Sequence, residues 1–335
     1  MSLSNSTYIV GAGFSKFAGL PLMNDFFFKA KDLYPNLTEE EKKIFDKIFD
    51  FYKEYSEVKN YMNMDLMNIE ELLSIIEMNQ FLNDSRIKRY YTNFLKIVIE
   101  NCSIIDNQRN NSKSNSKKPK YLEFINHVYG FRLNNTNGIE RMKSTLPQNG
   151  IISLNYDLIL ENTILNNDLY NLDFGYGIID KYIDPTYQQA GNRVKLAKIH
   201  GSINFKDGPS YLIVPPTWNK TSETKIRPVW KLANDLISNS ENLIFIGYSL
   251  PKTDLYVKYL LINGIQNCKN LKRIVVICPD SDNSVRMRYE DFFESYFREK
   301  SFIYIPKKFE DINWESFSYE ERINGILTQF PIIDD

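Results

Sequence analysis

The chain has 335 residues, about twice an average domain, so one large domain or two modest ones is expected. Hydrophobic residues make up 43% and charged residues 25%, as in an ordinary soluble globular protein. With 41 basic against 42 acidic side chains the net charge is −1, which excludes a global polycation held to nucleic acid by its phosphates but leaves a local basic patch open. The three cysteines, Cys102, Cys268 and Cys278, are too few for a disulfide framework, and with only His127 and His200 beside them a structural zinc site lacks ligands. A reducing cytoplasm fits this usage. The polar start, Met1 to Thr7, has no basic n-region, and no run approaches the roughly 20 apolar residues of a membrane span, so a soluble intracellular chain is expected.

Tyr8-Ile9-Val10 reads as a buried strand that ends in the turn Gly11-Ala12-Gly13. Residues 36–104 then carry helical periodicity. Thr38 and Glu41 form a capping box ahead of Ile44, Phe45, Ile48, Phe49 and Tyr52. Ile69, Leu72, Leu73 and Ile76 make a second stripe. Ile87, Tyr91, Phe94 and Val98 make a third, with Asp84 as its expected cap. This region reads as a helical insertion between two pieces of one core, residues 1–35 and 119–335. Residues 105–118, polar and low in complexity, read as a flexible surface loop. Beyond Asn149, short apolar runs at 150–154, 194–199, 243–246, 274–277 and 301–305 alternate with helical stretches near 229–238, 254–265 and 283–297. That alternation predicts an α/β fold, a parallel sheet with helices on both faces.

Ligands of such sheets bind at the carboxyl ends of the strands. The polar residues just past each predicted strand are therefore the candidates: Gly11 to Ser15, Asn155-Tyr156-Asp157, His200-Gly201-Ser202, Gly247-Tyr248-Ser249 and Cys278 to Asp282. Glycine without a Cβ lets backbone amides approach a pyrophosphate. The dinucleotide fingerprint is nevertheless incomplete, because Lys16 holds its third glycine position and no acidic residue follows at the end of a second strand. No Walker phosphate loop is present, and no carboxylate cluster gathers for the metal ions of a nuclease.

Four of these segments, in order, resemble sirtuin motifs. Gly11-Ala12-Gly13-Phe14-Ser15 with Gly19-Leu20-Pro21 is similar to the sirtuin opening. Leu154-Asn155-Tyr156-Asp157 resembles glutamine-asparagine-isoleucine-aspartate, His200-Gly201 the catalytic histidine-glycine pair, and Gly247-Tyr248-Ser249-Leu250 the later glycine-threonine-serine-leucine loop. Two features depart from the deacylases: Leu22-Met23-Asn24 replaces aspartate-phenylalanine-arginine, and the four-cysteine zinc module is missing. The pattern most resembles the zinc-less, sirtuin-like NAD glycohydrolases of bacterial anti-phage defence.

The resemblance implies a Rossmann-like core, NAD as substrate and no metal. It implies Asn155 and His200 as catalytic residues. Gly11, Ala12, Gly13, Phe14, Ser15, Pro21, Asp157, Gly247, Tyr248, Ser249 and Asp280 would contact NAD. Asn155 would orient a water at the anomeric carbon, and His200, with its unperturbed pKa of ~6.5, would take a proton. Asp157 would hold the asparagine loop or a ribose hydroxyl. Asp280 either binds the adenosine ribose or closes a turn after Pro279, and Phe174 to Gly177 and Pro215 to Trp218 either line the nicotinamide end or pack in the core. An NAD hydrolase must be gated, and no sensor domain is left over in the sequence. Control is therefore expected from self-assembly into a homo-oligomer or from a partner, a HerA-type translocase ATPase by analogy, with residues 36–104 as the contact surface. A protein deacylase and a non-catalytic module sensing NAD or ADP-ribose are the alternative functions.

Overall fold

The computed structural model describes residues 5–59, 69–83, 86–103, 111–133, 139–141, 149–164, 172–173, 178–179, 182–183, 194–207, 210–214, 226–297 and 301–314. Strand β1 (Ser6–Val10), buried throughout, leads into the short helix α1 (Ala12–Lys16) and then α2 (Phe26–Leu33). Four longer helices follow: α3 (Glu39–Lys59), α4 (Ile69–Asn83), α5 (Ile87–Cys102) and α6 (Asn111–Tyr129). The three helical stripes read from the sequence fall on α3, α4 and α5. At the start of α3 the Thr38 amide donates to Glu41 Oε2 at 2.9 Å and the Glu41 amide to Thr38 Oγ1 at 3.3 Å, the reciprocal pairing of a capping box. Asp84, expected to cap α5, lies outside the described residues.

The expected loop over 105–118 is corrected in part, since α6 begins at Asn111; residues 105–110 lie outside the described ones. Polar composition marks residues that cannot bury surface, yet such residues extend a helix anchored elsewhere. The anchor is the second half of α6, where Tyr121, Phe124, Ile125 and Val128 are buried.

The remaining elements are the hairpin of β2 (Phe131–Leu133) and β3 (Ile139–Arg141), then β4 (Gly150–Ser153), α7 (Ile159–Ile164) and β5 (Leu172–Asp173). A small hairpin, β6 (Ile178–Ile179) and β7 (Tyr182–Ile183), precedes β8 (Val194–Lys198) and the antiparallel pair β9 (Gly201–Asp207) and β10 (Ser210–Ile213). Next come α8 (Arg227–Ser238), β11 (Asn242–Ile246), α9 (Leu255–Gln266), β12 (Arg273–Ile277), α10 (Ser284–Phe297) and β13 (Ser301–Ile305).

Among the described residues seven strands form one sheet in the order β13-β12-β11-β1-β4-β8-β5, and every pairing in it is parallel. The sequence order reverses at β1, with β4, β8 and β5 to one side and β11 to β13 to the other. Alternate side chains of each strand enter different cores, as the period of two requires. Tyr8, Val10, Val275 and Ile277 join Phe27, Phe45, Leu72, Phe94 and Phe124 of the helical region. Ile9, Ile274 and Val276 join Val229, Ala233, Val257, Leu261 and Tyr289 of α8 to α10. The insertion thus shares its core with the sheet, each buried side chain contributing about 1.5–3 kcal/mol. Among the described residues no helix is long and apolar enough to cross a membrane.

Candidate functional site

Two glycine segments meet at the carboxyl ends of the central strands. The Gly13 amide donates to the Gly247 carbonyl at 2.9 Å, and the Gly247 amide to the Ile277 carbonyl at 2.8 Å. A Cβ on Gly247, where φ is +61°, would lie 2.4 Å from Phe14 N, and one on Gly13 would lie 2.7 Å from Gly247 Cα. These glycines therefore allow backbone to touch backbone. The Gly13 amide, read from the sequence as approaching a pyrophosphate, is spent inside the protein.

Around this contact a chain of hydrogen bonds holds Asn155. Its Nδ2 donates to the Gly11 carbonyl at 2.9 Å and to Ser15 Oγ at 2.8 Å, and Ser15 Oγ donates in turn to Asp157 Oδ2 at 2.6 Å. A carbonyl can only accept, so the Gly11 contact fixes which end of the amide is the NH2 group. Among the described residues Oδ1 of Asn155 has no hydrogen-bond partner. Asn155 lines a cleft of about 70 Å³ together with Ala12, Ser15, Pro21, Tyr156 and Asp157, and Met23, Phe26, Ile69 and Ile99 supply its apolar wall.

Asp157 is buried and its carboxylate is fully engaged. Oδ2 takes the Ser15 hydroxyl, and Oδ1 takes the Ile159 amide at 3.0 Å, capping α7. The Asp157 backbone carbonyl accepts from Lys198 Nζ, which also reaches Glu161 Oε1 at 2.8 Å and Ser202 Oγ at 2.7 Å. All three ammonium protons thus have partners, as a buried lysine needs. Burial pushes the Glu161 carboxyl up from its ordinary range, and the Lys198 charge pulls it back only in part. Tyr121 closes the far side, donating to the Phe14 carbonyl at 2.8 Å; burial and the nearby Asp157 charge push its hydroxyl pKa up.

His200 follows the neighbouring strand, β8. Ser153 of β4 pairs with Lys198 of β8, so Asn155 and His200 each follow that rung by two residues. The His200 ring is buried, with Nδ1 3.3 Å from the Val214 carbonyl, and meets Tyr156 edge-on at 6.3 Å between centroids. A carbonyl can only accept, so the Val214 contact assigns the proton to Nδ1. Tyr156, rather than His200, lines the cleft. Gly201 has φ +84°, and a Cβ there would fall 1.9 Å from the Leu212 carbonyl oxygen, so only glycine lets β10 cross at this point.

The other predicted contacts are placed differently. Ala12, Ser15 and Pro21 reach the cleft, whereas Phe14 is in the aromatic core against Tyr121 and Phe309. Tyr248 is buried and donates to Asp254 Oδ2 at 2.8 Å, and the Ser249 carbonyl accepts from Arg288 Nε at 2.9 Å. Asp280 accepts the amides of Val285 at 3.3 Å and Arg286 at 2.9 Å, the turn-and-cap use of an aspartate ahead of α10. His127 packs between Tyr8 and Trp314, within the core. Phe174 to Gly177 and Pro215 to Trp218 lie outside the described residues. Among the described residues no group of three His, Cys, Asp or Glu gathers for a metal.

Sequence reasoning missed Lys198, Glu161 and the insertion residues Ile69 and Ile99. Lys198 did leave a signal, the second of two lysines in the run Val194 to Ile199, two residues ahead of His200.

No curated protein matches the chain. The solved structure described as Sir2Tm bound to a propionylated peptide aligns over 96% of this chain and 94% of its own, at 11% identity and a TM-score of 0.39. Residues 149–305, from the residue before β4 to the end of β13 and including Asn155, Asp157 and His200, match the family described as the SIR2-like domain.

Proposed function

We propose that the chain is an NAD glycohydrolase, which converts NAD and water into nicotinamide, ADP-ribose and a proton. The SIR2-like match supports an NAD-related function. The observation that carries the finer reading is Asn155, held by Gly11 and Ser15 so that its unspent Oδ1 is left to the cleft at the carboxyl edge of the sheet. Cleaving the nicotinamide–ribose bond leaves positive charge on the ribose, and the departing pyridinium becomes neutral without an acid. What the protein must supply is an uncharged acceptor to hold the attacking water and a base for its proton. Asn155 Oδ1 takes the first role. His200, which follows the neighbouring strand, takes the second. Asp157 acts on Asn155 through Ser15 and is a positioning residue.

In the cell we assign this activity to the NAD-depleting arm of a bacterial anti-phage system, gated by assembly of the chain with itself or with a HerA-type ATPase. The test is to incubate the protein with NAD, with and without that partner, and follow nicotinamide and ADP-ribose. The reading predicts equal release of both and no dependence on an acetyl-lysine peptide. Nicotinamide release only with such a peptide favours the deacylase, and tight ADP-ribose binding without turnover under any condition favours the sensing module. Full activity of the isolated monomer removes the gating claim.

A further inference from the structure

The strand that holds His200 is itself held by the helical insertion. Along β10 and the residue after it, successive side chains point to opposite sides, as the period of two requires. Tyr211 and Ile213 pack into the core that the sheet shares with the insertion, while Leu212 and Val214 join the core under α8 to α10. Helix α5 lies against this strand, and its Lys96 ammonium stands over the Tyr211 ring, 5.7 Å from the centre. Lys96 is also paired with Glu100, one turn further along α5. Its head is thus fixed between a carboxylate and an aromatic face.

The far end of β10 reaches His200 through one residue. The Val214 amide donates to the His200 carbonyl at 2.9 Å, and the Val214 carbonyl lies 3.3 Å from ring Nδ1. Backbone and ring of His200 therefore both follow Val214. The register of the hairpin leaves that residue dependent on packing. Tyr211 pairs with Lys206 but Ile213 with Gly201, so Leu212 alone stands opposite Ser202 to Phe205. Such a bulge interrupts the ladder and re-aims the side chains beside it. Among the described residues β10 pairs with no strand but β9, so its other support is the contact of Tyr211 and Ile213 with the insertion. We propose that Tyr211, gripped by Lys96, is a positioning residue for His200, so that the helical insertion sets the tautomer and aim of the ring. This inference rests on the glycohydrolase reading of His200 and deepens it by naming a route from the insertion to the base. A displacement of α5 then alters proton transfer while the hydrogen bonds that hold Asn155, made by other segments, stay in place.

The experiment reads the imidazoles of the full chain by nitrogen-15 NMR, beside steady-state kinetics with NAD. The sequence has two histidines, His127 and His200, and the spectrum of His200→Gln shows which signals belong to each. At about pH 8.5, where an ordinary imidazole is neutral, the unaltered chain is expected to carry the His200 proton on Nδ1. Tyr211→Leu removes the ring and Lys96→Met removes only the cation. Each should shift population towards the Nε2-protonated tautomer. Each should also lower kcat about 3- to 5-fold with KM little changed, the order of one cation–π contact read through the base. Lys96→Arg keeps a cation on the ring and should restore both readouts. Lys96→Met, at the rim of the contact, covers the case in which Tyr211→Leu disturbs the core. A His200 proton on Nε2 in the unaltered chain, a tautomer unmoved in folded Lys96→Met, or an arginine variant no better than the methionine one overturns the inference and leaves the glycohydrolase reading standing. No nicotinamide release by the unaltered chain, alone or with a partner, overturns that reading, and the imidazole spectrum then upholds or overturns the coupling by itself.

Discussion

At the scale of single residues, the site is a relay in which each group fixes the next. Lys198 grips the Asp157 backbone, Asp157 orients Ser15, and Ser15 with Gly11 orients Asn155. Ser15→Ala removes the middle link but keeps the Gly11 contact. It is expected to lower kcat about 10-fold with a small change in KM, because a misaligned group costs rate more than binding; steady-state kinetics would check this, with serine-like rescue by Ser15→Thr. Lys198→Met leaves Glu161 without its cation in a closed interior. Breaking a buried pair costs about 3–5 kcal/mol, whereas Lys198→Met combined with Glu161→Gln should recover part of that loss in denaturant melts. The strand-end positions of Asn155 and His200 were legible in the sequence because polar residues after apolar runs mark strand ends. The relay behind them was not, because Ser15 and Asp157 meet across 142 positions and no local pattern encodes that contact.

At the scale of elements, strand and helix patterns carried most of the fold, and the departures have local causes. The α3 capping box and the start of α9, where Asp254 accepts the Val257 amide at 3.4 Å, stand where the sequence placed them. Thr38→Ala should cost about 1 kcal/mol, read from thermal or denaturant unfolding. The glycine turn is a different case. From sequence, Gly11 to Gly13 pointed to a nucleotide phosphate, yet their closest neighbour is the Gly247 loop, which shows only once two strands lie side by side. Gly247→Ala combines a positive φ with a backbone clash. It should destabilise the fold by about 2 kcal/mol or more and reduce turnover, since the Gly247 backbone packs directly against Gly11, whose carbonyl anchors Asn155.

At the scale of the whole molecule, one sheet is covered by the helical region on one face and by α8 to α10 on the other, with the cleft where the first of these meets the strand ends. The shared core makes the insertion a part of the site rather than an appendage, a point that periodicity shows for each helix but not for their arrangement. Two thiols report on this packing. Burial pushes Cys102 and Cys278 each up to about 11 from 9.0. The unfolded chain therefore loses these protons first, so the stability they contribute is whole below pH 9 and is lost as pH rises from 9 to 11. Labelling of Cys102 and Cys278 at pH 8 should accordingly be slow in the native protein and fast in denaturant.

The amide of Asn155 is the group to remove, and the measurement is nicotinamide release from NAD by the unaltered protein and by Asn155→Ala under the same gating conditions, with folding of both checked by circular dichroism. Loss of about 100-fold or more in turnover with ADP-ribose binding retained is the predicted result. Turnover within a few-fold of the unaltered protein would contradict it.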